Sequence, residues 1–251
     1  DSSMASKSVT MSLSSDKKTT EVPSAQVAVP EGLGMDGPVK LKVEFAEPTK
    51  PDDAAKDKPA DSNKYEAKTY WGSAETVPSG QPKVVSSASD SSATPEPASY
   101  AYWPIGYRGE TTPKQDAKAA GTYTLTTNYA GGASVTIDPE QDYMAPINVV
   151  SPVASADLSK PVKVQWEKVP KALGYLVAAY GGNNKGSITW TSSAEPSTSD
   201  GLEEKAVSKK DLDSYVEKNV LLGPDVTTVT IPAGIFKVSN SVIITITAFG
   251  P

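Results

Sequence analysis

Five carboxylates are the side chains of this chain that could carry acid–base chemistry: Glu75, Glu110, Asp138, Glu140 and Asp142. A glycoside hydrolase or lyase would need two such groups about 5–10 Å apart in different protonation states. Nothing in the spacing of the five sets a pair apart, and Asp138-Pro139 is ordinary turn chemistry. Asp138, Glu140 and Asp142 offer hard oxygen ligands of the kind calcium takes. They lack the central glycine and distal glutamate of a helix–loop–helix calcium loop, so a solvated acidic turn is the preferred reading and no metal is assigned.

Composition closes off most other chemistry. The 251 residues include no histidine and no cysteine. Histidine is the side chain that ordinarily titrates between about pH 5 and 8, so the common triads and imidazole-held metals are excluded. Thiolate nucleophiles, thiolate-held clusters and disulfides are excluded with cysteine. Gly131-Gly132 and Gly181-Gly182 read as turns and open no helix, so they are not phosphate cradles. No catalytic residue and no cofactor is assigned.

A second group of residues could bind rather than react. Tyr100, Tyr102, Trp103 and Tyr107 crowd one short stretch, with Tyr65, Tyr70 and Trp71 upstream. Such rings stack on sugars or peptides, or fill a core. On a strand, Tyr100 and Tyr102 would share one face and Trp103 would lie opposite.

The net charge of −6 and the single arginine, Arg108, leave no clustered basic face for nucleic acid. No apolar run approaches the roughly 20 residues of a membrane-spanning helix. Serine and threonine dominate the polar residues, with 21 prolines and 18 glycines. That balance suits all-β extracellular modules. The opening Asp1–Ser3 ahead of Met4 fits either a mature end after signal removal or a vector-derived scar.

Alternation places the strands. Val9, Met11 and Leu13 alternate with Ser8, Thr10 and Ser12, a free-standing half-buried strand with the character of a strand-pairing segment. Val39–Phe45 alternates in the same way. Residues 46–63 and 86–98 are long polar loops. Strands are expected at 64–71, 81–86 and through the aromatic stretch. Gly131-Gly132 predicts a hairpin between 121–129 and 133–137. Further strands are expected at 147–150, 162–166, 174–180, 187–191, 226–231 and 241–248. One helix is predicted over 208–221, with Ser208 and Asp211 as a capping box.

The segment Val164-Gln165-Trp166-Glu167-Lys168-Val169-Pro170-Lys171-Ala172-Leu173-Gly174-Tyr175-Leu176-Val177 resembles the B–C strand signature of fibronectin type III modules. The resemblance covers about residues 146–251. It implies that Trp166 and Tyr175 fill the core between two sheets, that residues 245–248 form the strand called F, and that the module is a spacer or recognition unit. The chain departs from the family in its helix and in having no final strand after the F-like one. A sheet without that strand exposes main-chain groups.

These readings predict an all-β chain of two β-sandwich units. The first spans 1–145. The second, at 146–251, is immunoglobulin- or fibronectin III-like with one inserted helix. The expected function is that of a non-enzymatic secreted or cell-surface structural and interaction protein, with the periplasm as another compartment. Its expected partners are other protein chains, including copies of itself, met by β-strand pairing. The alternative is a carbohydrate-binding module using the exposed tyrosines and tryptophan, with a glycan as partner. A carboxylate-dependent glycoside hydrolase or lyase is the weaker alternative.

Overall fold

The structure, a computed structural model, describes residues 7–45, 66–86, 98–104, 113–114, 116–151, 156–196, 202 and 207–251. It is all-β: fifteen strands in four sheets, with one α-helix among the described residues. The chain divides into two compact units, one of residues 4–60 and 90–143, the other of residues 61–89 and 144–251 with the first three residues.

The unit of residues 4–60 and 90–143 holds two antiparallel sheets. One orders β1 (Met11–Ser15), β7 (Ser99–Trp103) and β4 (Lys42–Phe45), with β7 in the middle. The other orders β3 (Val39–Lys40), β2 (Ala25–Ala28), β8 (Gly121–Thr127) and β9 (Ala133–Ile137). The alternating run 39–45 is thus two strands rather than one. It changes sheets at buried Leu41, whose N–H donates to the Ala25 carbonyl at 2.9 Å. Ala25, Val27, Leu41 and Ala101 form the core, with Met11, Leu13, Val43, Trp103, Tyr123 and Leu125 packed around it. The β8–β9 hairpin closes as its glycines predict, and Gly131 takes φ +85°, a conformation costly for residues with a side chain.

The other unit pairs a three-stranded sheet with a five-stranded one. The first orders β10 (Val149–Ser151), β11 (Val162–Trp166) and β14 (Thr228–Ile231). The second orders β15 (Val242–Phe249), β12 (Gly174–Asn183), β13 (Gly186–Thr191), β5 (Glu66–Trp71) and β6 (Lys83–Ser86). Residues 66–71 and 83–86 therefore join the sheet of the later sequence, although chain order groups them with residues 1–145. Alternation within a strand carries no information about its partner, which is why the sequence could not place them. β5 lies parallel to β13, and a Cβ on Gly186 would collide with the Glu66 carbonyl oxygen. Only glycine permits that approach.

Trp166 and Tyr175 meet edge-to-face across this core, with ring centroids 5.4 Å apart. The Tyr175 hydroxyl accepts a hydrogen bond from the Val169 N–H at 2.9 Å. Val164, Val177, Ala179, Trp190 and Ile231 complete the buried centre.

The helix, α1 (Lys209–Glu217), is shorter than its sequence pattern predicts. Ser208 caps its start by accepting from the Asp211 N–H. Its end comes where Asn219 turns left-handed at φ +56° and the Val220 N–H bonds back to the Tyr215 carbonyl. Val220 and Leu221 then face a second core with Leu176, Leu202 and Leu212 instead of extending the helix.

Candidate functional site

Two of the candidate carboxylates, Asp138 and Asp142, are tied into local main-chain structure. Asp138 begins a single 3-10 turn, and its N–H donates to the Gln141 side chain at 3.1 Å. Asp142 accepts from the N–H groups of Ala119 at 2.7 Å and Tyr143 at 2.8 Å. Partial burial pushes the Asp142 carboxyl up. Main-chain donors at Ala119, Tyr143 and Ala120, with help from Lys7, outweigh this and hold it below the usual carboxylate range. Asp142 is thus an ionised structural acceptor. Glu75 is exposed, and its carbonyl accepts from the Ala233 N–H at 2.9 Å. Glu110 lies outside the described residues. Among the described residues no three acidic side chains converge as a metal would require.

A cavity of about 610 Å³ opens in the unit of residues 4–60 and 90–143, beside the edge strands β1 and β9. Val9, Met11, Leu13, Leu125, Val135 and Ile137 give it an apolar wall. Its titratable lining groups are Tyr123 and Tyr143. Burial pushes both phenols up, and nearby Asp142 adds to the effect. Neither would exchange a proton near neutral pH, so the cavity carries no acid–base pair.

The segment with the expected pairing character is paired on one side, with β7. Met11 stands opposite Trp103 and Leu13 opposite Ala101, so β1 is not free-standing. Val9 lies just before the strand and lines the same cavity. The physical reason is that the apolar face of this strand completes the local core.

The aromatic stretch divides as strand geometry requires. Ser99 and Ala101 are buried, and Trp103 packs beside the core. Tyr100 and Tyr102 share the other face of β7, where Tyr100 is 37% exposed. Tyr107 lies outside the described residues. Sequence reasoning missed the flanking groups. Lys42 is opposite Tyr102, and Glu44 is opposite Tyr100. Lys42 Nζ is 2.6 Å from Glu44 Oε1 and 5.7 Å from the Tyr102 ring centroid. The hydrogen bond to Glu44, then that to Tyr102, pushes the lysine up. The same contact with Lys42, then Tyr102, lowers the Glu44 carboxyl. Their alternation along the polar face of 39–45 was the available signal.

The other candidate is an edge. β15 borders the five-stranded sheet, and among the described residues no strand pairs with its outer side. Its hydrogen-bonding phase follows from β12. Tyr175 exchanges bonds with Leu222, and the Val177 carbonyl accepts from the Ser192 N–H, both on the side away from β15. Leu176, Ala178 and Tyr180 must then face β15, opposite Thr247, Thr245 and Ile243. The main-chain groups of Val242, Ile244, Ile246 and Ala248 point outward. Ile243, with its side chain on the face away from the core, is 65% exposed.

No helix among the described residues is long and apolar enough to cross a membrane. No family model, curated protein or solved structure matches the chain.

Proposed function

We propose that this chain is a non-enzymatic structural and interaction protein of the cell surface or extracellular space, joined to a second copy of itself through the outer edge of β15. The carrying observation is that edge: an eight-residue strand with no strand on its outer side among the described residues. Outward groups recur along it at every second residue, roughly 6.5–7 Å apart, which is a template for another strand.

A second copy suits the edge in register as well as in hydrogen bonding. A two-fold axis through Thr245 sets Ile244 against Ile246 of the second copy and Val242 against Ala248. It also brings Ile243 beside Thr247 and each Thr245 beside its equivalent. Threonine pairs and β-branched neighbours are favourable across strands. The arrangement covers exposed Ile243, and being isologous it closes as a dimer. The hydroxyl-rich, proline-punctuated composition supports the extracellular placement. The faced sheets β10–β11–β14 and β15–β12–β13, with Trp166 against Tyr175, support the fibronectin type III-like reading; β5 and β6 are additions to it.

The test is the mass in solution. Light scattering at about 100 µM should give a dimer that dissociates on dilution. Ile243→Lys, a charge on an exposed edge, should give a folded monomer at the same concentration. A monomeric wild type, or a dimer that survives the lysine, would overturn the proposal.

A further inference from the structure

We infer that the solvent face of the β1–β7–β4 sheet binds a neutral, hydroxyl-rich polysaccharide, with Tyr100 and Tyr102 as stacking rings. This does not rest on the pairing of β15. The face is built from two cross-strand rows. Ser12, Tyr102 and Lys42 stand side by side, and next to them Ser14, Tyr100 and Glu44. The two serines, Tyr100, Lys42 and Glu44 are all exposed.

The chemistry of the rows selects the ligand. Sugar rings present C–H faces that stack on aromatic rings and hydroxyls that fan out around the edge. Tyr100 and Tyr102 are roughly 6.5–7 Å apart along the strand, so one extended glycan chain reaches both. Hydroxyl donors and acceptors at Ser12 and Ser14 lie on one flank, and the Lys42–Glu44 pair lies on the other. That pair is closed at 2.6 Å, so the face carries both signs and no net charge. An acidic polysaccharide would meet Glu44 and a cationic one Lys42, whereas a neutral hydroxyl donates to the first and accepts from the second. The lysine Nζ also stands 5.7 Å from the Tyr102 ring centroid, a cation–π contact that favours one ring orientation before any ligand arrives. The tyrosine strand itself offers a peptide no main-chain groups, because β7 is already paired along both sides.

The experiment is affinity electrophoresis of the full chain in gels containing hydroxyethyl cellulose, laminarin or arabinoxylan, with polygalacturonate as the acidic comparison. Retardation by at least one neutral glycan is expected, unchanged by added salt. Tyr100→Ala should weaken it tenfold or more, and Tyr100→Phe should preserve it. Glu44→Gln, a surface change that leaves the core intact, should weaken it about fivefold and serves if the alanine variant fails to fold. Ile243→Lys, compared at a dilution where the wild type is monomeric, should bind as wild type, which separates this site from the β15 edge. Absence of retardation in all three neutral glycans would overturn the inference. So would salt-sensitive binding to polygalacturonate alone, or binding indifferent to Tyr100→Ala and Glu44→Gln.

Discussion

Amide exchange along β15 should alternate, and the alternation reports on the proposed pairing edge. The N–H groups of Ile243, Thr245 and Thr247 face β12 opposite Tyr180, Ala178 and Leu176. Those of Ile244 and Ile246 face outward. An inward amide of a core strand opens only with much of its unit, and domains of this size are stable by about 5–15 kcal/mol. Five kcal/mol already slows exchange about five-thousandfold at 25 °C. An outward amide on an unpaired edge should exchange within about tenfold of its free-peptide rate. Exchange followed by heteronuclear NMR on dilute protein should therefore show slow 243, 245 and 247 between fast 244 and 246. At high concentration, 244 and 246 should slow as the second copy pairs, while the inward set barely changes. Ile243→Lys should abolish only that concentration dependence. Fast exchange at 245 and 247 would refute the assigned phase. Slow exchange at 244 and 246 in dilute monomer would show the edge to be covered, and the pairing argument would fail with it.

Three further outcomes follow from the same geometry. Tyr175→Phe keeps the ring against Trp166 but strands the buried Val169 N–H, so urea unfolding should show a loss of about 1–3 kcal/mol. Asp142 has a lowered carboxyl, so its contribution is present above the ordinary carboxylate range and is lost as pH falls through its lower folded value; Asp142→Asn should cost about 1 kcal/mol at pH 7 and flatten the acid limb of a stability–pH profile. Gly186→Ala places a methyl against the Glu66 carbonyl, so it should cost about 1–3 kcal/mol in urea unfolding and hasten proteolytic cutting between β5 and β6.

How much of this was legible depends on the range of the interaction. Period-two alternation found the strand at Val162–Trp166, because one buried face is a local requirement, while the unbroken apolar run at 174–180 and the Gly131-Gly132 turn before 133–137 marked two more. Residues 25–28 escaped notice, since four residues of AQVA alternate too briefly to stand out. The parallel docking of β5 on β13 was hidden for a different reason. It joins residues far apart in sequence, and its one local trace, Gly186, reads equally well as a turn glycine. The helix was overextended because Val220 and Leu221 keep an apolar spacing. Their burial comes after a left-handed Asn219, which no apolar periodicity reveals.

The two proposed surfaces were legible only by halves, and the missing half is the same in both cases. Sequence placed Tyr100 and Tyr102 on one face, but not Lys42 and Glu44 beside them, because cross-strand neighbours belong to register. It located the last strand, but not which of its amides look outward, because that phase is set by how Tyr175 and Val177 bond on the far side of β12. Both surfaces depend on main-chain pairing to set which groups stand together, and neither uses a group that titrates near neutral pH. A chain with no histidine or cysteine can still be specific in this way, because register selects neighbours without any reactive side chain. Residues opposite the tyrosines, and the exposed face of β15, are therefore where substitutions should alter binding while leaving the two cores unchanged.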